Sequence, residues 1–274
     1  MNIRYIDIHS HLNFPDYDAD LEKVLADMAE KGVATIVVGT VRATSVRAVE
    51  LAEKYPHVWA IVGLHPIHAH EPGEIFDYEF YKKLAVHPRV VGIGECGFDY
   101  FHCGEAERAE QERAFCGQIQ LANEVGKPLM LHLRNAKKPK AGVAAESVDP
   151  TSTRDAYEDA LAILEKKAKV KGDAHFYAGT IEQMQRFLKL GFGISFNGVI
   201  TFARDYDALV RAVPEDMLMS ETDAPFVAPN PHRGKRNQPD YVIHAVNKMA
   251  EIRGVSPADL ELKLVANARR LFGI

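Results

Sequence analysis

The sequence contains little cysteine. Its 274 residues include three cysteines, Cys96, Cys103 and Cys116, which form neither a CxxC motif nor an obvious disulfide framework. Chains that depend on disulfides are usually short, whereas a chain of this length can bury a sufficient apolar core without them. We therefore expect reduced thiols in a cytoplasmic protein.

Long apolar runs and an excess of positive charge are also missing. No apolar run approaches the ~18 residues that a membrane-spanning helix needs, and a strand begins too close to residue 1 to leave room for a signal peptide. The net charge of −5 argues against a protein held to nucleic acid mainly by general electrostatic attraction. We expect no membrane association, and nothing indicates an obligatory protein partner. An enzyme with a locally positive active-site mouth remains compatible with this charge.

Short β-rich runs alternate with longer amphipathic stretches along nearly the whole chain. Eight runs predict strands: "YIDIHS", "TIVVGT", "VWAIVGL", "RVVGIGE", "PLMLHL", "GDAHFYA", "GFGISFNG" and "MLMSET". Between them, "DADLEKVLADMAEKG" and "AERAEQERAFCGQIQLANEVGK" have apolar residues at helical spacing and a glycine near the end. This alternation predicts an α/β fold, a single (β/α)8 TIM barrel over residues 1–274 with its site at the C-terminal face of the strands. A doubly wound open sheet is the alternative.

Residues with metal-ligand chemistry fall at or near the ends of several predicted strands. His9 and His11 close the first strand, Glu95 closes the fourth, His132 ends the fifth, His175 lies at the sixth and Asp223 follows the eighth. A lone histidine is more often a hydrogen-bonded core residue, but six such residues at one end of different strands are not explained that way. Because residues two apart on a strand project the same way, His9 and His11 predict a shared metal ion.

The remaining histidines divide by their place on the barrel. His57 and His87 precede strands and would lie at the opposite, stability-determining face. His65, in "GLHP" at the end of the third strand, would border the metals and contact either substrate or a water. Four more histidines lie in loops at the C-terminal face, where substrate contact is possible: His68, His70, His102 and His232.

The segment "GIGECG", residues 92–97, matches the dinucleotide-binding pattern GxGxxG after a strand. No helix opens directly from its last glycine, and Glu95 would place a negative charge against a pyrophosphate. The dinucleotide fingerprint needs both contexts, so we exclude it. We expect these glycines to allow close packing around a ligand carboxylate.

Taken together, the motifs resemble the TatD-like metal-dependent deoxyribonucleases, a family within the wider amidohydrolase-like barrel group. The resemblance rests on "DIHSHLN", "GLHP", "GIGECGFDY", "LHLRNA", "AHFYAGT", "SETDAPFVAP" and "VANARRLFGI", which occur in the family's order. It extends over residues 3–274. Two departures affect the expectations drawn from it: Ala178 stands where a small polar residue is usual, and the segment 137–153 looks longer than usual.

The resemblance implies two divalent metal ions per chain. His9, His11 and Asp223 would bind one ion, His132 and His175 the second, and Glu95 would bridge both. Four imidazoles and two carboxylates suit Zn, Mn, Co or Ni better than Mg, which prefers oxygen ligands. Two such ions could activate a water and stabilise the attacking and leaving oxygens of a phosphodiester.

Roles in the reaction follow as hypotheses. We expect catalytic parts for Asp223, Glu95 and His65, with Asp223 orienting the attacking water and taking its proton. His65, Arg134 and Arg233 would contact the substrate. Two loops at the C-terminal face carry basic clusters without an acidic residue: Arg134, Lys137, Lys138 and Lys140 in one, and His232, Arg233, Lys235 and Arg236 in the other. These clusters indicate a negatively charged substrate, although two solvated loops that bind nothing would have the same composition.

The function expected is cleavage of phosphodiester bonds in single-stranded or frayed DNA. Tyr100, Phe101 and Phe226 lie near enough to stack on an exposed base, although packing is the expected role of each alone. One alternative is a hydrolase of the same barrel that acts on a small ester, lactone, amide or phosphate ester. Another is a metal-binding scaffold without catalysis. DNA or RNA preference, direction of cleavage, native metal and oligomeric state are not determined by these residues.

Overall fold

The computed structural model describes residues 2–103, 107–136 and 154–274. Eight parallel strands form one sheet in the order of the sequence. The strands are β1 Tyr5–Ser10, β2 Val33–Val38, β3 Val58–Val62, β4 Val90–Asp99, β5 Leu129–Arg134, β6 Gly172–Ala174, β7 Phe192–Phe196 and β8 Leu218–Ser220. The predicted TIM barrel is confirmed, and a doubly wound order is wrong because each strand pairs with its neighbour in sequence.

The sheet closes where the end of β8 meets β1. The backbone N–H of Asp223 donates to the carbonyl of His9 at 2.9 Å, and the N–H of His11 donates to the carbonyl of Ala224 at 2.7 Å. These bonds join two segments that the sequence separates by more than 200 residues. They also fix three of the predicted ligand residues relative to one another.

Helices follow the strands and cover the outside of the barrel. They are α1 Leu21–Lys31, α2 Arg42–Lys54, α3 Tyr78–Ala85, α4 Arg108–Val125, α5 Ala156–Lys167, α6 Ile181–Lys189, α7 Asp207–Ala212, α8 Val242–Arg253 and α9 Pro257–Phe272. Within the described ranges, no helix is both long and apolar enough to cross a membrane. The three cysteines are free thiols, as the sequence predicts.

Two apolar clusters form the core. The larger joins strand residues such as Val37 and Leu131 to the inner faces of the surrounding helices. The smaller contains the alternate strand residues, among them Ile36 and Met130, together with Phe272 near the end of α9. Since successive residues of a strand face opposite sides, the smaller cluster fills the inside of the barrel. The predicted site residues therefore lie above a packed apolar interior.

The end of β4 differs from the prediction in a way that affects a site residue. Glu95 does not close β4, because pairing with β5 continues as far as the partners Asp99 and Arg134. The ladder is irregular between Ile93 and Cys96, and such an irregularity locally redirects side chains. Glu95 therefore lies within the strand, beside the point where its register changes. Its place near the mouth was correct, and its place as the last strand residue was wrong.

Candidate metal centre

A cavity of about 870 Å³ opens at the C-terminal ends of the strands. Predicted site residues on its wall are His11, His65, Glu95, His132, Arg134, His175 and Asp223. His9 is fully buried just behind this wall. The barrel thus brings together the ligand residues predicted from separate strands. Arg233, which was predicted to contact the substrate from a loop, is not among the residues that line the cavity.

The first group of donors is formed by His9, His11, Glu95 and Asp223. The two Nε2 atoms of the histidines lie 3.2 Å apart. Oε2 of Glu95 lies 3.3 Å from the first of them and 3.8 Å from the second. Oδ1 of Asp223 approaches the same two atoms at 3.8 and 3.6 Å. Four donors from three strands or strand ends therefore face one small volume.

The second group surrounds the other oxygen of Glu95. Oε1 lies 2.8 Å from Nδ1 of His132 and 2.8 Å from Nε2 of His175. Nε2 of His65 is more distant, at 3.5 Å. Glu95 thus presents one carboxylate oxygen to each group of donors.

The geometry of these groups fits metal ions. Two imidazole nitrogens about 2.1 Å from one ion at a tetrahedral angle are separated by about 3.4 Å, close to the 3.2 Å found for His9 and His11. Nδ1 of His11 lies 2.9 Å from the carbonyl of Val38, so this nitrogen donates there and Nε2 is the nitrogen that faces Glu95 and Asp223. Buried imidazoles held this way are typical of transition-metal sites.

The charge of Glu95 also fits a shared ligand. Burial alone would raise its pKa, but the imidazoles of His175, His65 and His9 hold the pKa well below its usual range. Burial opposes ionisation of Asp223 too, and the hydrogen bond with His11 lowers the pKa of that carboxyl. Both carboxylates are therefore ionised at neutral pH, as metal ligands must be.

Two further carboxylates orient the histidines, and the sequence prediction did not include them. Oδ2 of Asp99 lies 2.9 Å from Nε2 of His132. Oε2 of Glu221 lies 3.2 Å from Nδ1 of His175, and its other oxygen accepts the backbone N–H of Phe176 at 2.9 Å. Each carboxylate binds the ring nitrogen opposite the one that faces Glu95. Such partners fix the orientation of a ligating imidazole and strengthen it as a donor.

His65 differs from the other histidines of the cavity in its hydrogen bonding. Its Nδ1 accepts the backbone N–H of Ile67 at 3.1 Å, so the proton of the neutral ring must be on Nε2. Burial, with a further contribution from His132, lowers the pKa of His65 to about 4. The ring is therefore neutral near pH 7 and turns an N–H donor towards Glu95.

The basic loops contribute less to the mouth than the sequence predicts. The guanidinium of Arg134 lies over the ring of Phe101 at 3.9 Å, and Arg134 lines the cavity. Arg233 instead stacks on Phe202 at 3.7 Å. Arg236 forms a bidentate ion pair with Asp20, which neutralises the charge of Arg236. Lys137, Lys138 and Lys140 belong to the segment 137–153, which lies outside the described residues.

The similarity of this chain to known proteins extends over nearly its whole length. The family model "TatD related DNase" matches residues 6–273. The metal-dependent hydrolase YabD of Bacillus subtilis is 37% identical over 273 residues, with 98% of both chains covered. A protein of Escherichia fergusonii named 3′-5′ ssDNA/RNA exonuclease TatD is 31% identical over 278 residues, again with 98% of both chains covered.

A solved structure agrees with this relationship. The TatD homologue YjjV of Escherichia coli K12 superimposes with a TM-score of 0.86 over 100% of both chains, at 27% identity. Organophosphorus hydrolases and lactonases match with TM-scores near 0.63 at 12 to 14% identity, which shows the barrel alone. The family model, the relatives and this structure give one result: the chain belongs to the TatD-related DNase family.

Proposed function

We propose that this protein is a divalent-metal-dependent phosphodiesterase that cleaves single-stranded or frayed DNA. One observation carries the proposal: Oε2 of Glu95 faces His9 and His11, while Oε1 faces His132 and His175. A carboxylate with a separate group of nitrogen donors at each oxygen is suited to bridge two ions. The relatives named as metal-dependent hydrolases and as an exonuclease support the same reaction class.

The proposed ligands divide into two sets that share Glu95. His9, His11 and Asp223 would hold one ion, and His132 with His175 would hold the other. The predominance of imidazole favours Zn, Mn, Co or Ni over Mg. When bound, a pair of divalent ions supplies Lewis-acid stabilisation of the attacking and leaving oxygens of a phosphodiester.

The chain's own residues would perform the proton transfer and position the substrate. We assign to Asp223, which is ionised and lies next to His11, the role of accepting the proton of the attacking water. The Nε2–H of His65 is available to donate to a phosphoryl oxygen. Arg134 on the cavity wall supplies a positive charge for the phosphate backbone. The contact of Arg233 with the substrate stays a prediction, because Arg233 stacks on Phe202 and does not line the cavity.

Metal analysis combined with cleavage assays tests this function. Purified wild-type protein and Glu95→Ala are measured for bound metal and for turnover of single-stranded DNA, RNA and small esters. Glu50→Ala is the matched control, because Glu50 is exposed on α2. We expect Glu95→Ala to lose one or both ions and nearly all turnover, with DNA as the preferred wild-type substrate. An active, metal-free Glu95→Ala protein would contradict the proposal. If the wild-type protein preferred a small ester, the ester and not DNA would be the substrate class.

A further inference from the structure

Phe226 exposes an aromatic ring in the wall of the cavity. Half of its surface is accessible to solvent, although a phenyl ring is usually stabilised by burial. The other exposed large apolar side chains of the described ranges lie elsewhere: Val46, Ile75, Val86, Ile181, Phe202, Val255 and Leu262. Phe226 is therefore the exposed apolar group placed where a substrate enters.

Backbone hydrogen bonds hold Phe226 in a fixed position relative to the proposed ligands. Its N–H donates to the carbonyl of Asp223 at 2.8 Å. Its carbonyl accepts from the side-chain amide of Asn237 at 2.6 Å, and that amide also donates to the carbonyl of Thr222 at 2.9 Å. The turn that carries the ring is thus tied on both sides to the end of β8.

Neighbouring rings brace Phe226. Phe14 stacks on His11 with centroids 4.5 Å apart and an interplanar angle of 11°. Phe226 stands nearly perpendicular to both rings, at 6.3 Å from Phe14 and 6.2 Å from His11. Edge-to-face contacts of this kind are favourable. They restrict the ring without covering its exposed part.

We propose that Phe226, supported by Phe14, is a stacking platform for the nucleobase next to the scissile phosphodiester. The inference rests on the proposed function and deepens it. A base in a duplex already has a neighbour on each face, whereas a base in a single strand has a free face to offer to an aromatic side chain. Stacking on Phe226 would therefore select an unpaired nucleotide without reading its sequence.

A double-mutant-type cycle tests this subsite. It removes the aromatic ring of Phe226 from the protein and the base from the substrate, separately and together. The proteins are wild type, Phe226→Ala, Phe226→Trp and the control Leu262→Ala, which removes an exposed apolar side chain on α9. The substrates are matched oligonucleotides with one cleavable phosphodiester, flanked either by a base or by an abasic unit. We expect Phe226→Ala to lower kcat/KM on the normal strand by about 5- to 150-fold. Phe226→Trp and Leu262→Ala should stay near wild type.

The abasic strand supplies the decisive comparison. Wild type and Phe226→Ala should cleave it at similar rates, because the partner of the ring is absent. A second readout is independent of turnover: 2-aminopurine at the same position of an uncleavable phosphorothioate strand should be quenched more by wild type than by Phe226→Ala. If Phe226→Ala lowered kcat/KM equally on both strands, Phe226 would have a structural role. That result would overturn this inference and leave the proposed function standing. Wild-type protein that cleaves no phosphodiester would overturn the proposed function and the inference with it.

Discussion

Nε2 of His132 lies 2.9 Å from Oδ2 of Asp99, on the side of the ring opposite Glu95. The same carboxylate accepts from Nδ1 of His102 at 2.9 Å and from the backbone N–H of Phe101 at 2.8 Å. Burial alone would raise the pKa of Asp99, but the hydrogen bonds with His132 and His102, that with His132 foremost, hold the pKa well below its usual range. A buried, ionised carboxylate therefore fixes which nitrogen of His132 faces the proposed metal.

Asp99→Asn should weaken metal binding without preventing the protein from folding. The amide retains the shape of the side chain but loses the charge that makes His132 a stronger donor, and loss of such a partner typically costs about 10- to 100-fold in metal affinity. Calorimetric titration of the metal-free protein measures the change. The control is His102→Gln, which removes the other imidazole on this carboxylate and should change affinity little. Equal affinities for Asp99→Asn and wild type would show that Asp99 does not position His132.

His65→Ala should keep the wild-type metal content and lose turnover. Nδ1 of His65 is occupied by the N–H of Ile67, so its inward nitrogen carries a proton and has no lone pair for an ion. Removal of one positioned donor to a developing charge typically costs about 100- to 1,000-fold in kcat. The matched variant His132→Ala should instead lose metal. Elemental analysis and kcat for the two variants distinguish these roles, and metal loss in His65→Ala would make His65 a ligand.

Much of the architecture was accessible from sequence because its signals are local. Short, continuous apolar runs alternate with helical periodicity, and each donor falls near a strand end, where the barrel brings different strands together. His9 and Asp223 could thus be assigned to one site without knowledge of the hydrogen bond between their backbones. The single domain over residues 1–274 and the cytoplasmic location stay predictions.

The supporting carboxylates were missed because their role depends on partners in space. Asp99 and Glu221 look like ordinary strand-end acids, although their even spacing from Glu95 and Asp223 is a signal that could have identified them. The ion pair of Arg236 with Asp20 joins loops 216 residues apart, so charge counting along one loop overestimated the positive mouth.

Gly97→Ala should destabilise the fold. The glycine has φ of +140°, and a Cβ there would lie 2.3 Å from the carbonyl oxygen of His132, its partner in β5. The glycine therefore serves the approach of two strands, not the packing around a ligand carboxylate that the sequence suggested. We expect a loss of more than about 2 kcal/mol in the free energy of unfolding, measured by urea titration of the metal-free protein.

Gly126→Ala is the control for backbone conformation alone. Gly126 also has a positive φ, +68°, but a Cβ there would meet nothing within 4 Å. Its substitution should cost only the left-handed conformation, about 1 kcal/mol. If both variants lose the same stability, close approach to β5 does not explain Gly97.

Metal binding should release protons, and affinity should fall as the pH is lowered. Burial alone would lower the pKa of His175, but the carboxylates of Glu221 and Glu95 raise it well above 6.5 in the metal-free protein. The ring is then protonated near pH 7, whereas a ligand must offer a free lone pair. Each proton displaced makes affinity fall up to about tenfold for each unit of pH below that pKa.

Calorimetry at pH 7 in buffers of different ionisation enthalpy counts these protons. We expect net release from wild type and less from Glu221→Gln, because loss of the Glu221 charge lowers the pKa of His175 towards that of an ordinary buried imidazole. Glu50→Ala, which changes an exposed carboxylate of α2, should release as many protons as wild type. A binding enthalpy independent of the buffer would show that His175 is already neutral and would contradict the electrostatic role assigned to Glu221.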